Sequence, residues 1–471
     1  MIPLGIDLGT TFSAIAYVDA SGHPSVIKND LGATTTPSVV CWKDGVPLVG
    51  EEAKELQALG HPVAAFFKRQ MGVDNWVFFD GEREHSAIDL SALVLGKLKS
   101  DAEHALGTSV VDAVITVPAY FRNPEREATI AAGRQAGLNI LQVINEPTAA
   151  AVAYGIHGNR ATAKSQLVLV YDLGGGTFDV SLLQLDPDEI RVLTSHGDHE
   201  LGGKDWDDRI LEFVGGRFMD EFGIDLLAER ESLSDLLVRA EEAKRRLSAI
   251  NSARISIIHE GRRGSYDLSR RTFEDLTADL MQRTLSLTRM VLADQKIEPA
   301  QLDGILLVGG STRMPMVHDL ITRVFGRSPL GGINVDEAVA LGAALVAAKH
   351  TGDHGRTPKD AKALTLAGSR RIVDVTNHSL GMIAVNKDGS AYVNSIILPR
   401  NQAIPCRLSR PYQHRNRQRG PGELQVFMTQ GESQGPEDVT YIGCHVVHDV
   451  PSNPSGMTVI DIEYHYDIST T

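Results

Sequence analysis

The stretches Gly5–Ser13 (GIDLGTTFS) and Tyr171–Val180 (YDLGGGTFDV) carry the same short pattern, an Asp-Leu-Gly followed by a turn of glycine and threonine. Each follows strand-like apolar residues, and the second aspartate lies 165 residues after the first, the span of one domain-sized unit. The N–H groups and hydroxyls of such a turn suit phosphate oxygens, while Asp7 and Asp172 suit a metal ion or its waters. One copy alone would more often be a plain hairpin turn, whereas two copies predict a magnesium–polyphosphate site.

The length and composition indicate a globular protein with more than one folding unit. A chain of 471 residues with 42% hydrophobic and 23% charged residues is too long for one ordinary core, so we expect two to four domains or lobes. The formal net charge of −14 disfavours non-specific binding to nucleic acid or to an anionic membrane. We therefore expect neither as a partner.

The cysteines and the N-terminus predict a cytoplasmic location. Cys41, Cys406 and Cys444 are odd in number, far apart and without metal-ligand spacing, as expected of reduced thiols. The first loop begins so early that we expect no signal peptide, and no apolar run reaches the roughly 18 residues of a membrane span.

Up to about His350, short apolar runs alternate with amphipathic segments, which is typical of α/β layers. Strands are predicted at Val111–Val117, Gln166–Tyr171 and Gly304–Val308.

Two helices of this region carry recognisable end signals. The first has Asn123 as its N-cap and ends at Gly137. In the second (NEPTAAAVAYG), proline suits the first turn, so Glu146 is expected just before the helix and Gly155 at its C-cap.

After a Gly-, Lys- and Thr-rich stretch from His350 to about Arg371, predicted to be a helix tail and a linker, the hydrophobic period changes to two. Ile460, Ile462, Tyr464, Tyr466 and Ile468 alternate with polar residues, and Leu424, Val426 and Met428 alternate with Gln425, Phe427 and Thr429. The last ~95 residues are therefore predicted to form a separate β domain.

A third glycine turn, Leu307–Pro315 (LVGGSTRMP), follows a predicted strand. Together with the two aspartate loops, it is a candidate part of the ligand site. Gly309 and Gly310 would let the backbone approach a ligand closely, although a plain strand-to-helix turn remains an equal alternative. Because the chain has no GxxxxGK[ST] sequence, the phosphate site is not a P-loop.

The predicted helix Ser232–Ser248 has a polar stripe beside its apolar one, consisting of Glu241, Lys244, Arg245 and Ser248. Such a stripe is usually a solvated face. These side chains could also bond ribose hydroxyls or base edges, with Arg245 stacked on one face of a purine and Arg313 of the third turn on the other. Lys68, a lone cation beside two phenylalanines, is a further candidate, although most such lysines are surface residues.

An ordered set of motifs resembles the 70-kDa heat-shock chaperone family of the DnaK type. The motifs are GIDLGTTFS, KRQMG, VPAYF with Arg126 downstream, INEPTAAAVAYG, DLGGGTFDV, LGGKDWD, EEAKRRLS, LVGGSTRMP and VDEAVALGAA. The resemblance covers essentially the whole chain and is strongest up to about Ala348. Within the family, KRQMG followed by Asn75-Trp76 is more similar to the HscC-like branch.

The resemblance implies a two-lobed, actin- and hexokinase-like nucleotide-binding domain over residues 1–350, with ATP or ADP between lobes of duplicated α/β core and with Mg²⁺ and K⁺ as ions. It implies that hydrated magnesium is held by Asp7, Glu146 and Asp172, and that Lys68 contacts the γ-phosphate and the attacking water with help from Thr177 and Asp179. The implied phosphate cradle is Gly9, Thr10, Thr11, Phe12, Gly174, Gly175, Gly176, Gly309 and Gly310. The implied adenosine site is Glu241, Lys244, Arg245, Ser248, Ser311, Arg313 and Asp336.

The resemblance also implies allosteric and peptide-binding parts. Pro118 and Arg126 resemble the family's switch elements, and residues 351–375, with Asp374 at the docking motif, correspond to the interdomain linker. Residues 376–471 resemble a peptide-binding β-sandwich, whose groove for an extended apolar peptide would be walled by Met382, Val385, Tyr412, Leu424 and Val426. The alternative is that these five are ordinary sandwich core, with even odds for Leu424 and Val426.

Several features depart from the family pattern. The linker motif Arg370–Asp374 (RRIVD) is half charged, so we expect weak docking or acidic partners for its arginines. Gln142 stands where the family has an arginine used by J-domain co-chaperones, which puts that partner in question. The chain also stops at Thr471, before a helical lid, so we expect either a fragment or a lidless member with fast peptide exchange. The basic run His414–Arg419 would suit acidic clients or simply be solvated.

Three functions compete at this point. The first is an ATP-hydrolysing chaperone that works on unfolded or extended peptides, with J-domain and nucleotide-exchange partners. The second is a nucleotide-binding sensor or scaffold with little chaperone cycling, which the charged linker favours. The third, a sugar or metabolite kinase, lacks an acceptor aspartate motif and would not need a β domain.

Overall fold

A computed structural model describes residues 2–157, 164–228, 230–353, 371–415, 422–451 and 457–467. They fall into two compact units, one of Met1–Phe121 with Glu125–Ile372 and the other of Arg122–Pro124 with Val373–Thr471. No helix within these ranges is long and apolar enough to cross a membrane.

The first lobe of the larger unit comprises eleven strands and four helices in the part of the chain before residue 158. They are β1 (Leu4–Asp7), β2 (Phe12–Val18), β3 (Pro24–Ile27), β4 (Thr36–Pro37), β5 (Val40–Lys43), β6 (Val46–Val49), α1 (Glu51–Ala58), β7 (Val63–Ala64), β8 (Val77–Phe79), β9 (Glu84–Ser86), α2 (Ala87–Leu106), β10 (Asp112–Val117), α3 (Asn123–Gln135), β11 (Asn139–Asn145) and α4 (Glu146–His157). A 3₁₀ turn at Phe67–Gln70 carries Lys68.

The second lobe follows with the same order of its first three strands. Its elements are β12 (Gln166–Leu173), β13 (Phe178–Leu185), β14 (Glu189–Asp198), α5 (Gly203–Phe222), α6 (Arg230–Ala249), β15 (Ser252–His259), β16 (Arg262–Ser269), α7 (Arg270–Leu276), α8 (Ala278–Asp294), β17 (Gly304–Val308), α9 (Pro315–Phe325) and β18 (Arg371–Val373). The helix between α9 and β18, α10 (Ala338–Asp353), returns to the first lobe. Two further 3₁₀ turns lie at Pro299–Gln301 and Gly310–Arg313.

The two main sheets repeat one topology, which accounts for the duplicated loop. In the first, β1 pairs with β10 in parallel and with β2 antiparallel, and β3 continues beyond β2. In the second, β12 pairs with β17 in parallel and with β13 antiparallel, and β14 continues beyond β13. The predicted α/β fold with two lobes of duplicated core is thus confirmed, and each aspartate loop is the tight connection of the corresponding antiparallel pair.

Small residues hold α10 close to the first sheet and to α4. A Cβ at Gly5 would lie 1.9 Å from the backbone N of Ala344, and one at Gly342 would lie 1.8 Å from the carbonyl O of Ala149. Ala14, Ala16, Ala153 and Ala340 fill the same buried cluster. Only glycine and alanine permit this approach, so the backbone of α10 lies directly against the sheet that ends in Asp7.

The predicted strands agree closely with the structure, whereas both ends of the second predicted helix differ, since Glu146 is its first residue and not the residue before it. The strand Gly304–Val308 has its predicted bounds, and the other two predicted strands differ by one or two residues at an end. The prediction of Gly155 as a C-cap is wrong, because α4 starts at Glu146 itself and continues to His157. Glycine costs a helix only about 1 kcal/mol, which tertiary packing overrides.

The linker stretch also differs from expectation. Residues 354–370, including Arg370, lie outside the described residues, but Arg371 and Ile372 extend the second main sheet beside β14. The backbone N–H of Arg371 donates to the carbonyl O of Asp188 at 2.6 Å, and the Arg371 side chain stays exposed. The expected desolvation cost of this arginine therefore does not arise, because the contact uses backbone groups alone.

The smaller unit consists of two sheets with a shared apolar core. Its strands are β19 (Leu380–Val385), β20 (Tyr392–Leu398), β21 (Cys406–Arg415), β22 (Gly422–Gln430), β23 (Thr440–Val450) and β24 (Met457–Tyr466), with a 3₁₀ turn at Pro436–Asp438. The sheet orders are β20-β19-β22-β23 and β21-β24.

The predicted period of two is correct in β24, where residues 459–466 alternate between exposed and half-buried. In β22 it fails at Thr429, which is 1% exposed instead of facing solvent, because a register shift between Met428 and Thr429 interrupts the alternation. Ile468 and most of the basic run His414–Arg419 lie outside the described residues.

Candidate functional site

A cleft of about 540 Å³ lies between the two aspartate loops within the larger unit. The predicted residues that line it are Asp7, Gly9, Thr10, Thr11, Phe12, Lys68, Glu146, Asp172, Gly174, Gly175, Thr177, Glu241, Lys244, Arg245, Ser248, Gly309, Gly310, Ser311, Arg313 and Asp336. They come from both lobes, from α6 and from the third glycine turn. Gly176 and Asp179 lie behind this lining.

The two loops touch each other, and glycine makes that contact possible. A Cβ at Gly175 would lie 1.8 Å from Oγ1 of Thr11, and one at Gly176 would lie 2.2 Å from Cγ2 of Thr10. The threonine side of the contact belongs to the first lobe and the glycine side to the second. The second loop can therefore approach only because it lacks side chains at these two positions.

A cluster of carboxylates faces one lysine at the base of the cleft. Nζ of Lys68 lies 2.7 Å from Oε1 of Glu146, the first residue of α4, and both side chains are nearly buried. Burial and the nearby charge of Glu146 raise the pKa of Asp7 to about 7, although the positive charge of Lys68 lowers it in part. Burial, Glu146 and Asp179 likewise raise the pKa of Asp172 well above its usual range. The cluster thus brings together more carboxyl groups than the single lysine could compensate if all of them were ionised.

Asp179 adds a further carboxyl group from the second lobe to this acidic cluster. It pairs with Asp172 across the β12–β13 hairpin, and the backbone N–H of Tyr120 donates to its Oδ1 at 3.0 Å. Burial and Glu146 raise the pKa of Asp179 to about 8. Thr177, on the same loop, is 6% exposed and contributes to the cleft wall.

The donor set fits a hydrated magnesium ion with a polyphosphate. Among the described residues, no three carboxylate, histidine or cysteine side chains lie close enough to hold a metal ion directly. Magnesium usually keeps several waters, which spaced carboxylates such as Asp7, Glu146 and Asp172 can hold. Oγ1 of Thr11 is buried without a hydrogen-bond partner and so has a free donor for a ligand oxygen. The excess of carboxyl groups over nearby cations and this unused hydroxyl both suit the magnesium–polyphosphate that the sequence predicts.

The far end of the cleft carries stacked cations around Phe12. Nζ of Lys54 lies 4.8 Å from the ring centroid of Phe12, and Arg245 lies 4.9 Å from it. Both cations also pair with Glu241, at 2.7 and 2.8 Å respectively. Although burial raises the pKa of Glu241, Lys54 and Arg245 outweigh it and hold that pKa below its usual range. Sequence reasoning missed Lys54, whose partner lies 187 residues away.

The second lobe holds the remaining predicted residues by local bonds. Nζ of Lys244 donates to the carbonyl O of Gly203 and to Oδ2 of Asp207, both at 2.7 Å. Oγ of Ser311 donates to the carbonyl O of Gly174 at 2.9 Å, and Arg313 pairs with Asp336 at 2.5 Å. Burial raises the pKa of Asp207 to about 6 against the opposing charge of Lys244. Asp207 was also missed, although it stands in the quoted motif LGGKDWD.

The predicted switch residues lie apart from the cleft lining. Pro118 is buried at the end of β10, and Arg126 bonds to the carbonyl O of Phe121 and to the side chain of Asn145. The backbone carbonyl of Asp374 accepts from the N–H of Ile404 at 2.9 Å. Gln142, in β11, bonds to Nε2 of His350 through its Oε1 at 2.9 Å.

The five predicted groove residues do not form one exposed wall. Met382 and Val426 are buried in the core of the smaller unit, and Tyr412 and Leu424 pack against it half-buried. Val385 alone is exposed, at 55%. The core interpretation that the sequence left open for Leu424 and Val426 is the one that their packing supports.

A family model and two known relatives of the chain agree on the same protein family. A family model described as Hsp70 protein matches residues 3–77 and 74–470. The chain is similar to the chaperone protein DnaK of Thermosipho melanesiensis, with 39% identity over 98% of this chain and 76% of the relative. It is also similar to the chaperone protein DnaK of Thermosipho africanus, with 40% identity at the same coverage.

A family match over nearly the whole chain agrees with the duplicated sheets and the charged cleft. The chain belongs to the Hsp70 family, with DnaK-type chaperones among its relatives.

Proposed function

We propose that this chain, an ATP-dependent chaperone and ATPase that binds ATP or ADP and acts on polypeptides, hydrolyses ATP in the cleft between its two aspartate loops. One observation carries the assignment of the site: Lys68 faces the half-buried Asp7 and the buried Glu146 and Asp172 in a cleft lined by hydroxyls and glycine backbone. Phosphoryl transfer to water needs this combination of positioning and charge neutralisation more than a strong base.

Each residue type then has a distinct task. Asp7, Glu146 and Asp172 would hold magnesium through waters, and magnesium when bound supplies charge neutralisation at the phosphates. Lys68, fixed by its bond to Glu146, orients the γ-phosphate and the attacking water. Thr177 and Asp179 assist at that end.

The rest of the cleft binds the nucleotide. The N–H groups and hydroxyls of the phosphate cradle hold the phosphates, namely Gly9, Thr10, Thr11, Phe12, Gly174, Gly175, Gly176, Gly309 and Gly310. The adenosine lies among Glu241, Lys244, Arg245, Ser248, Ser311, Arg313 and Asp336. Arg245 suits a base plane because its guanidinium already stacks on the ring of Phe12.

We infer that coupling from this cleft toward the linker runs along β13 and β14. Asp179 lies at the cleft end of β13, and the strand leads to the β13–β14 turn, where Asp188 accepts the bond from Arg371. This contact supports coupling through the linker, with Asp374 directly after β18 and with Pro118 and Arg126 as switch residues. It weakens the alternative of a sensor that binds ATP without chaperone cycling.

The remaining parts of the proposal follow from the resemblance to the Hsp70 family. They are K⁺ as a second ion, a J-domain co-chaperone and a nucleotide exchange factor as partners, domain bounds of 1–350 and 376–471 around the linker, and a cytoplasmic location. Extended apolar peptide segments are the proposed substrates, with Val385 as the exposed member of the predicted groove residues.

The experiment that tests the site is Lys68→Ala. We expect ATP turnover to fall by at least about 100-fold, because one preorganised donor contributes that much, while ADP affinity changes by less than about threefold. Lys43→Ala, at an exposed position on β5, serves as the control. Unchanged turnover in Lys68→Ala would refute the assigned role.

A second measurement tests chaperone cycling. In stopped-flow mixing, ATP should accelerate release of a labelled apolar peptide from the wild-type chain. Arg371→Pro removes the N–H that bonds to Asp188, so we expect it to suppress the acceleration while leaving ATP binding intact. Peptide release that is insensitive to ATP in the wild type would favour the sensor.

A further inference from the structure

A second cavity, of about 430 Å³, lies in the second lobe between α8, α9 and the 3₁₀ turn Pro299–Gln301. None of its lining residues takes part in the nucleotide cleft. Its volume falls within the range of roughly 300–1,000 Å³ that small-molecule sites occupy.

The wall of this cavity is apolar. Leu285 and Leu292 from α8 and Phe325 from α9 are 8%, 5% and 6% exposed, so their remaining accessible surface belongs largely to a recess. The hydroxyl of Thr288 is satisfied by a bond to the carbonyl O of Thr284 at 2.8 Å. The apolar part of a ligand would therefore bury carbon surface here without leaving a buried donor unpaired.

Two arginines stand on this wall, one from each helix. Arg289 and Arg323 are exposed, and neither makes an ion pair or side-chain hydrogen bond to another of the described residues. Arg327, by contrast, bonds to the carbonyl oxygens of Ala300 and Leu302. Arg289 and Arg323 therefore keep donors that a ligand in the recess could use.

The bonds of Arg327 also fix one side of the recess. They tie the end of α9 to the 3₁₀ turn that carries Pro299, a lining residue. The cavity is therefore bounded by elements that are held together before any ligand arrives, which lowers the cost of binding.

We propose that this recess binds a small organic anion with an apolar body, such as a medium-chain carboxylate. The apolar part would contact Leu285, Leu292 and Phe325, and the carboxylate would bond to Arg289 and Arg323. Guanidinium and carboxylate match in shape and charge, which gives bidentate bonds that a neutral ligand of the same length cannot make.

The test is a methyl NMR titration of the full chain with octanoate, followed at the methyl groups of Leu285, Leu292 and Val324. We expect saturable shifts at these methyls, with a Kd about tenfold lower for octanoate than for 1-octanol, because octanol lacks the anionic head. Arg289→Gln with Arg323→Gln should raise the octanoate Kd about tenfold, to the level of octanol. These side chains have no ion-pair or hydrogen-bond partner in the described part of the chain, so the fold should be retained.

Arg262→Gln with Arg263→Gln, two exposed positions on β16 of the same lobe, is the matched control and should leave the octanoate Kd unchanged. The proposal is overturned if octanoate causes no shift at the three methyls, or if octanol binds equally well. Unchanged octanoate binding in the Arg289/Arg323 variant overturns it too.

Discussion

The two aspartate loops share their backbone plan but differ in their side chains. Across the β1–β2 hairpin, Asp7 pairs with Ala14, whereas across the β12–β13 hairpin Asp172 pairs with Asp179. A hydroxyl, that of Thr116, bonds to Asp7, whereas Asp172 has a second carboxylate beside it. Duplication has therefore kept the position of the acid and changed the charge around it.

The loops also differ in what holds them. Oγ of Ser38, from the same lobe, donates to the carbonyl O of Gly9 in the first loop at 2.7 Å. The second loop is held from both lobes. Oγ of Ser311, in its own lobe, donates to the carbonyl O of Gly174, and Nε of Arg69, in the first lobe, donates to the carbonyl O of Gly176 at 2.8 Å while its guanidinium pairs with Asp205. The second loop therefore has a bond across the cleft in addition to those of its own lobe.

The largest effect is expected from Gly175→Ala, which gives the second loop a side chain like that of the first. Its Cβ would lie 2.6 Å from Cβ of Thr11, an overlap that rotation of the threonine cannot relieve. We expect ATP affinity, measured by calorimetry, to fall about 100-fold, since overpacking costs about 1–3 kcal/mol.

Two further variants separate the contact from a general defect. Thr11→Gly combined with Gly175→Ala should recover part of the ATP affinity if the overlap is the cause. Gly216→Ala, in α5 with open space around it, should have no effect. A double variant no better than Gly175→Ala would show that the loops do not need complementary sizes.

A smaller effect is expected from Arg69→Ala, which releases the second loop from the first lobe. Because this arginine and Asp205 are both largely buried, we expect ADP dissociation to accelerate about tenfold in a stopped-flow displacement measurement. Arg263→Ala, at an exposed arginine of the same unit, provides the control. If ADP release is unaltered, the second loop does not depend on the first lobe.

The extra carboxylate of the second loop should show in the pH dependence of stability. Because the pKa of Asp179 is raised to about 8 in the folded chain, its contribution to stability is full below about pH 4 and is lost as the pH rises through about 8. In nucleotide-free, EDTA-treated protein, the Tm should therefore fall less between pH 6 and 9 in Asp179→Asn than in the wild type. Parallel Tm profiles would mean that Asp179 is already ionised.

The smallest effect is expected from Ser38→Ala. It leaves the carbonyl O of Gly9 without this hydroxyl, so we expect a loss of about 1 kcal/mol in the free energy of unfolding. Nucleotide release should stay within about twofold of the wild type, since the bond lies inside one lobe. A large change in ADP dissociation here would remove the contrast between the two loops.

Much of the larger unit was predictable because its signals are local. The strand Gly304–Val308 is a continuous apolar run bounded by glycine, and both aspartate loops follow such runs. The stripe on α6 was also correct in periodicity, which is why Glu241, Lys244 and Arg245 line one cleft.

The unpredicted parts depend on contacts between distant positions. Lys54 gains its place from Glu241, and its own helix offers no pattern that indicates a ligand. The β-bulge at Thr429 follows from pairing with β23, which a period of two cannot foresee. Likewise, the burial of Met382 and Val426 depends on how two sheets face each other, which neither the period of two nor the family resemblance specifies.

The strand β18 has a consequence for solubility. Without it, β14 would present unpaired N–H and C=O groups along the edge of a four-stranded sheet, which is a template for unwanted strand addition between molecules. A strand of three residues that begins with an exposed arginine covers part of that edge and is itself too short and too charged to recruit another chain. The charged character of the linker thus protects against aggregation whenever the strand is paired.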